Sequence, residues 1–393
     1  MLVPGFKFSA ISAGIKKTKA TKKDLALIFS DVEATVAGLF TTNKIKAAPV
    51  KLDISKLASG RGQAIIVNSG NANACTGIQG LRDAEEIVDI TAKGLGINPE
   101  LVYIASTGVI GEHLPMEKIR HAIPEAVRNL SSNTIEDVAR AIMTTDTFPK
   151  IFMKKIKIKG KTGTIAGIVK GAGMIHPKMA TMLGFIMTDI AIDHRSIDKA
   201  LREATRKSFN RLTIDGDTST NDTIIIMANG CLDNKPIELS SSQFSGFQIA
   251  LNEVTYNLAR MIARDGEGAT KLIEVTVKGT KTESDAELAA FSIANSNLVK
   301  TAIYGRDANW GRIMAAIGYA GIDIEENRID LYINGLKIVS KGTGTNKDKA
   351  IKDILSHDEI NITVDIGVGH AQAKVLTCDL TEKYVKINSA YRS

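Results

Sequence analysis

The chain has 393 residues, of which 44% are hydrophobic and 24% charged, a balance typical of globular proteins with two or three domain-sized units. Lys and Arg outnumber Asp and Glu by 50 to 43, but the lysines are scattered and aromatic residues make up only 5%. Nucleic-acid surfaces usually combine clustered basic residues with stacking aromatics, so this composition argues against nucleic acid as a partner.

The three cysteines, Cys75, Cys231 and Cys378, lie far apart and form no C-x-x-C pair. The sequence therefore predicts neither a zinc site nor a disulfide framework, and free thiols fit a reducing cytosol. The first ten residues lack the pattern of a signal peptide, and no apolar run approaches the roughly 20 residues of a membrane span. We expect a cytoplasmic protein without membrane contact.

In the first third of the chain, strands are predicted at 25–40, 64–67 and 101–106, with an amphipathic helix that ends at Gly96. Small residues, Thr107 to Gly111, follow the third strand. They would leave backbone N–H groups free to point into a cleft, as an oxyanion hole requires. A simple glycine turn explains the pattern equally well.

Thr134 and Asp137 resemble a helix cap, and the predicted helix runs through Ile142 into a hydroxyl-rich corner at 143–147. Such a corner can bind a carboxylate, or it can simply terminate the helix. The alternating run KKIKIKGK at 154–161 then predicts a strand with one solvated face.

Residues 170–189 read KGAGMIHPKMATMLGFIMTD, a glycine-rich approach followed by an apolar strand. Thr181 lies between the two, where its hydroxyl could attack the carbonyl carbon of Ala180. If that peptide bond opens, the new α-amine of Thr181, with a reference pKa of about 7.7–8.0, can serve as the base for its own hydroxyl. The alternative is a turn that leads into a core strand, which the local pattern alone favours.

The second half predicts a helix from Ser196, a polar segment at 215–222, a long helix over 251–262 and a docked C-terminus. The polar segment lacks the glutamate that closes an EF-hand loop, so it is interpreted as a structured hairpin without metal. Glu267 lies between two glycines; it is either a solvated loop acid or a carboxylate presented to an amine.

Ten segments in order resemble the ornithine acetyltransferase family, the glutamate N-acetyltransferases of arginine biosynthesis. Besides residues 170–189, they are GFKFSAISAGIKK, FTTNKIKAAPV, IIVNSGNANACTG, ASTGVIGEHLP, MTTDTFPK, FNRLTIDGDTSTNDT, RDGEGATKLIEV, NLVKTAIYGRDANWGRI and DLTEKYVKINSAYRS. Each alone is weakly specific, but their combination and order over nearly the whole chain are highly specific.

The resemblance implies a two-lobed α/β fold of packed sheets and helices, of the N-terminal-nucleophile type shared with DmpA-like enzymes. It implies cleavage between Ala180 and Thr181 into chains 1–180 and 181–393, the second with a smaller lobe at roughly 280–393. Two chains of each kind would form a heterotetramer.

The resemblance also assigns roles to single residues. Thr181 is implied as the nucleophile, and Thr107 with Gly108 as the pair that stabilises the oxyanion. The implied substrate contacts are Thr144, Lys170, Thr181, Glu267, Asn388 and Ser393. Thr145 and Thr147 remain alternatives to Thr144, and Ser393 stands where a threonine is equally expected.

The implied reaction moves an acetyl group reversibly from N-acetylornithine to glutamate, giving ornithine and N-acetylglutamate. It proceeds through acetyl-Thr181 without metal or organic cofactor. Acetyl-CoA is expected to be at most a weaker acetyl donor. Two alternatives remain. One is a self-cleaving aminopeptidase of similar fold, which would hydrolyse the acyl intermediate. The other is a non-catalytic amino-acid-binding protein.

Overall fold

A computed structural model describes residues 3–16, 22–176 and 182–389, apart from the side chain of Asp348. The predicted cleavage site, Ala180 and Thr181, and the terminal Ser393 therefore lie outside the described residues. The chain divides into two compact units. The described part of the first consists of 3–16, 22–171, 182–210 and 218–258, and that of the second of 172–176, 211–217 and 259–389.

Eight strands form the sheet of the first unit. They are β1 (Phe6–Ile11), β2 (Leu25–Phe40), β3 (Arg61–Asn71), β4 (Val102–Val109), β5 (Lys150–Ile158), β6 (Lys161–Lys170), β7 (Leu183–Thr188) and β8 (Thr223–Ala228). Their order is β4-β3-β2-β8-β7-β6-β5, with β1 also paired to β2. The pairs β3–β4 and β7–β8 are parallel and the others antiparallel. Every residue of β7 and β8 is buried, as their continuous apolar sequences predict for central strands.

Strand β2 has 16 residues and pairs with both β3 and β8, so it joins two parts of this sheet. Residues Leu25–Phe29 of β2 pair with β3, and this pairing resumes after a register shift at Ala34 and Thr35. The last six residues, Thr35–Phe40, pair with β8. Side chains from both parts share one core, including Ile28, Val67, Phe185 and Met227. The sheet thus folds over at the irregular part of β2, and the end of β4 comes close to the start of β8 although three strand pairings separate them.

Helices cover the outer faces of the folded sheet. Helix α2 packs with α3 on apolar side chains of β2, β3 and β4, and α6 packs on β6, where Val254 and Leu258 lie against Gly167. The helices of this unit are α1 (Ala48–Lys56), α2 (Gly77–Leu95), α3 (Met116–Arg128), α4 (Ile135–Ala141), α5 (His194–Lys207) and the first part of α6 (Ser242–Arg264).

The second unit has a six-stranded sheet and its own helices. Its strands are β9 (Leu272–Thr280), β10 (Asp330–Ile333), β11 (Leu336–Ser340), β12 (Thr343–Gly344), β13 (Glu359–Asp365) and β14 (Ala371–Cys378), in the order β12-β11-β10-β13-β9-β14. The helices are α7 (Glu283–Ala294), α8 (Asn297–Tyr304), α9 (Trp310–Gly318), α10 (Asp348–Ile354) and α11 (Glu382–Ser389). A single apolar cluster joins β9, β10, β13 and β14 to α7 and α9.

The predicted α/β class is confirmed, and two local details differ from expectation. Thr107 and Gly108 belong to the last residues of β4 instead of following the strand, because they continue its pairing with β3. Thr134 stands at the start of α4 but makes no cap hydrogen bond; its hydroxyl donates to the carbonyl oxygen of Phe8. Within the described ranges, no helix is long and apolar enough to cross a membrane.

Candidate active site

The parallel ends of β3 and β4 hold Thr107 and Gly108. Thr107 is opposite Ser69 and Gly108 is opposite Gly70. Gly108 has φ +136°, a backbone conformation that side-chain-bearing residues rarely adopt, and a Cβ atom there would collide with the backbone of Gly70 and Asn71. Only glycine lets the two strand ends approach so closely.

Lys170 ends β6 with a side chain that is almost fully buried, at 3% exposure. Its Nζ lies 3.3 Å from Oγ1 of Thr107, so the structure brings these two predicted site residues together. Lys170 is also opposite Leu183, the first residue of β7, and Leu183 is opposite Thr223, the first residue of β8. The Lys170 ammonium is therefore carried by the strand end that lies next to the start of β7. Strand β7 begins at Leu183, two residues after Thr181 in the sequence.

Asp146, which sequence reasoning did not select, organises the corner between α4 and β5. Its carboxylate accepts hydrogen bonds from the N–H of Thr144 (3.0 Å) and of Gly171 (2.7 Å) and from Nζ of Lys150 (2.6 Å). Burial alone would raise the pKa of Asp146, but the charges of Lys170 and Lys150 outweigh it and hold the pKa well below its ordinary range. Thr144 is thus linked to the Lys170 region through a carboxylate that stays ionised.

A cavity of about 380 Å³ opens beside this corner, and Thr144 lies in its wall. Cationic side chains predominate in its lining, which consists of Lys16, Lys22, Lys23, Asp137, Arg140, Met143, Thr144 and Asp146. Burial is the main reason that the pKa of Lys16 falls to about 8, with Asp24 acting against it. Of the three candidate threonines, only Thr144 lines this cavity.

Asn221 and Asp222, immediately before β8, connect the other strand ends. The Asn221 amide donates to the carbonyl oxygens of Ala72 (2.6 Å) and Ser106 (2.8 Å), which lie at the ends of β3 and β4. Oδ1 of Asp222 accepts the N–H of Met182 at 3.1 Å. These two side chains fix the start of β7 and the end of β4 to the same short segment.

Two predicted substrate contacts come together in the second unit. The Asn388 amide, on α11, donates to Oε2 of Glu267 at 2.7 Å, and Glu267 is 8% exposed. The N–H of Glu267 donates to the carbonyl oxygen of Ala172 at 2.7 Å. A side chain at Gly173 would collide with the Glu267 carboxylate, so glycine is required there. Glu267 is therefore an ordered, buried acid, which excludes the solvated-loop interpretation.

Asp215, in the segment interpreted as a hairpin, also holds residues of the approach to the predicted cleavage site. Its carboxylate accepts the N–H groups of Met174 (2.7 Å) and Ile175 (2.9 Å) and the hydroxyl of Tyr384 (3.1 Å). Burial and the nearby acids raise the pKa of Tyr384, so that its hydroxyl stays protonated and donates. Sequence reasoning missed this link because its members are far apart in the chain.

The described residues offer little for metal binding or for cysteine chemistry. In the parts of the chain that the structure describes, no group of His, Cys, Asp and Glu side chains could hold a metal ion. The three cysteines are unbridged. Burial raises the pKa of the Cys378 thiol to about 11, which keeps it protonated and unreactive at neutral pH.

Sequence comparisons with known proteins cover nearly the whole chain. The model of the ArgJ family matches residues 7–393. The arginine biosynthesis bifunctional protein ArgJ of Geobacter sulfurreducens is 50% identical over 100% of both chains. The protein of that name from Caldanaerobacter subterraneus is 49% identical over 100% of this chain and 98% of its own.

A crystal structure of the arginine biosynthesis bifunctional protein ArgJ from Bacillus halodurans is also similar. It is 42% identical, with a TM-score of 0.52, and the match covers 53% of this chain and 98% of that chain. The family match, the identity over the full length and the shared fold lead to one assignment. The chain belongs to the ArgJ family of bifunctional arginine-biosynthesis proteins.

Proposed function

We propose that this protein transfers an acetyl group reversibly from N-acetylornithine to glutamate through an acetyl-Thr181 intermediate, without metal or organic cofactor. The observation that carries the proposal is the buried Lys170 Nζ, 3.3 Å from the Thr107 hydroxyl and beside Gly108, at the sheet edge where β7 begins. Membership of a family whose relatives are named for arginine biosynthesis supports these substrates.

Self-cleavage prepares the nucleophile. The hydroxyl oxygen of Thr181 bonds to the carbonyl carbon of Ala180, the C–N bond breaks, and the nitrogen takes up a proton to become the α-amine of Thr181. Hydrolysis of the resulting ester then frees the hydroxyl and leaves Ala180 as a carboxylate.

In the transfer, the Thr181 hydroxyl attacks the acetyl carbonyl of N-acetylornithine and passes its proton to the α-amine. The Thr107 hydroxyl and the N–H of Gly108 stabilise the negative charge on the carbonyl oxygen. The C–N bond then breaks, and ornithine leaves with the proton. The amine of glutamate attacks acetyl-Thr181 in the same way and restores the free hydroxyl.

Several charged groups suit amino-acid substrates. Lys170 is proposed to pair with a substrate carboxylate, and the cationic cavity next to Thr144 is proposed to accept a second anionic group. We assign Glu267, as a buried carboxylate held by Asn388, to contact with a substrate amine, and Asn388 and Ser393 to further substrate contacts. The site is proposed to act in the cytoplasm, in a heterotetramer of two chains of each fragment.

Acetyl-CoA is proposed as a second, weaker acetyl donor, in keeping with the name bifunctional that the relatives carry. Its thioester carbonyl undergoes the same attack by Thr181. The measurement is kcat/KM for acetylation of glutamate by acetyl-CoA, compared with that for acetylation of ornithine by N-acetylglutamate. A ratio of one or more would overturn the ranking of the donors.

The test of the main activity is incubation of the purified protein with N-acetylglutamate and ornithine. We expect N-acetylornithine and glutamate in equal amounts, and no product from the Thr181→Ala variant. Release of acetate without N-acetylornithine would indicate a hydrolase, and absence of any reaction would indicate a binding protein. Either result would refute the proposed function.

A further inference from the structure

Asp222 has no role in the reaction as described so far, yet its surroundings are unusual for a carboxyl group. It is 0% exposed, and it immediately precedes β8 in the centre of the sheet. Its Oδ1 accepts the N–H of Met182 at 3.1 Å. Met182 is the residue that follows Thr181, so this bond holds the chain one residue from the predicted nucleophile.

The other oxygen, Oδ2, is buried and makes no hydrogen bond with any residue that the structure describes. Buried polar atoms in this condition are uncommon in folded proteins, and each requires an explanation. Burial raises the pKa of Asp222 well above its ordinary value. The N–H of Met182, the hydroxyls of Thr41 and Ser219 and the charge of Lys170 act in the opposite direction without cancelling the rise.

We propose that Asp222 is a positioning residue for cleavage at Ala180–Thr181, because its carboxyl group fixes the N–H of Met182, the residue that follows Thr181. This inference rests on the proposed self-cleavage. A neutral carboxyl needs no counter-ion, and its carbonyl oxygen can still accept the Met182 N–H. The start of β7 is thereby held in place without a negative charge being introduced beside the site.

The neighbours of Asp222 explain why its charge matters. The β2 side contributes the Thr41 hydroxyl, the preceding loop the Ser219 hydroxyl, and β7 the backbone of Met182; the facing charged group is Lys170 at the end of β6. An ionised Asp222 would attract the Lys170 ammonium and compete with Thr107, which lies 3.3 Å from it. Neutral Asp222 leaves the contact between Lys170 and Thr107 intact.

The experiment follows cleavage over time by denaturing mass spectrometry in the wild type, Asp222→Asn and Asp222→Ala, from neutral to alkaline pH. Asparagine keeps the acceptor for Met182 and cannot ionise, so Asp222→Asn should cleave at nearly the wild-type rate at neutral pH. Asp222→Ala should be slower by about tenfold, the effect of losing one hydrogen bond of ordinary strength. As pH rises and Asp222 ionises, the rate of the Asn variant relative to wild type should increase.

Asp189→Asn is the matched control. Asp189 is also a buried acid whose pKa burial raises, but it follows the far end of β7 and accepts the N–H of Thr164 at 2.7 Å. Its substitution should leave both the cleavage rate and its pH profile unchanged.

Two results would overturn the inference while leaving the proposed function standing. In the first, Asp222→Asn is as slow as Asp222→Ala although circular dichroism shows both folded. In the second, the ratio of the cleavage rate of Asp222→Asn to that of the wild type stays constant with pH. An intact wild-type chain at every pH would instead overturn self-cleavage together with this inference.

Discussion

At the scale of single residues, two buried lysines flank one buried carboxylate and take different tasks. Lys150 pairs directly with Asp146 at 2.6 Å, and both side chains are 0% exposed. The charge of Lys170 also lowers the pKa of Asp146. The Lys170 Nζ, however, approaches the Thr107 hydroxyl. We therefore assign Lys150 to the ion pair with Asp146 and propose Lys170, beside the Thr107 hydroxyl, as the cation that meets a substrate carboxylate.

Replacing each lysine by methionine separates these tasks. Lys170→Met should lower kcat/KM for N-acetylglutamate by about 10–150-fold, because a charge-assisted contact contributes roughly 1.5–3 kcal/mol. Lys150→Met should instead lower the free energy of unfolding by about 3–5 kcal/mol, because it breaks a buried ion pair. The measurements are steady-state kinetics, normalised to cleaved protein, and urea unfolding. Equal effects of the two variants on kcat/KM would show that Lys170 has no separate role in binding.

At the scale of elements, the strand ends are positioned by close backbone contacts. Gly108 and Gly111 both have positive φ, at +136° and +83°, but only Gly108 has backbone atoms where a Cβ would lie; nothing is within 4 Å at Gly111. A side chain at either position would therefore strain the backbone in the same way, and the two positions differ in the space around them.

Gly108→Ala and Gly111→Ala form a matched pair. Strain at positive φ costs about 1–3 kcal/mol in each variant. In Gly108→Ala the ends of β3 and β4 must also move apart, which displaces the N–H proposed to bind the oxyanion. We expect kcat to fall by about 100-fold or more for Gly108→Ala, in line with loss of an oxyanion-hole donor, and much less for Gly111→Ala. Similar kcat values for the two variants would exclude Gly108 from the oxyanion site.

The elements also show what the sequence can predict. Helix α2 and strands β2 and β7 follow from periodicity and composition, since those signals are local. Asp146 and Asp222 were missed because their partners are distant: Gly171 lies 25 residues from Asp146, and Met182 lies 40 residues from Asp222. No local pattern in the sequence records such long-range pairings.

At the scale of the whole molecule, the predicted cut separates strands that alternate within one sheet. Strands β7 and β8 belong to the fragment 181–393, and they lie between β2 and β6 of the fragment 1–180. The pairing of β6 with β7 extends from Ile165 opposite Thr188 to Lys170 opposite Leu183. Separation of the fragments would require two central strands to leave the sheet.

We therefore expect the two fragments to elute together in size-exclusion chromatography under native conditions. They should separate only in denaturant, because the buried central strands hold both in one core. Denaturing electrophoresis of the native peak would detect both fragments. Elution of either fragment alone from a native column would contradict this strand arrangement.

Acetyl transfer through Thr181 is tested by a denaturing mass spectrum of cleaved protein mixed with N-acetylornithine and no acceptor. The fragment that begins at Thr181 should gain the mass of one acetyl group, and peptide mapping should locate it on Thr181. Added glutamate should then remove the acetyl group as N-acetylglutamate. Transfer of acetyl to glutamate by a protein that never carries the acetyl group on Thr181 would refute the proposed intermediate.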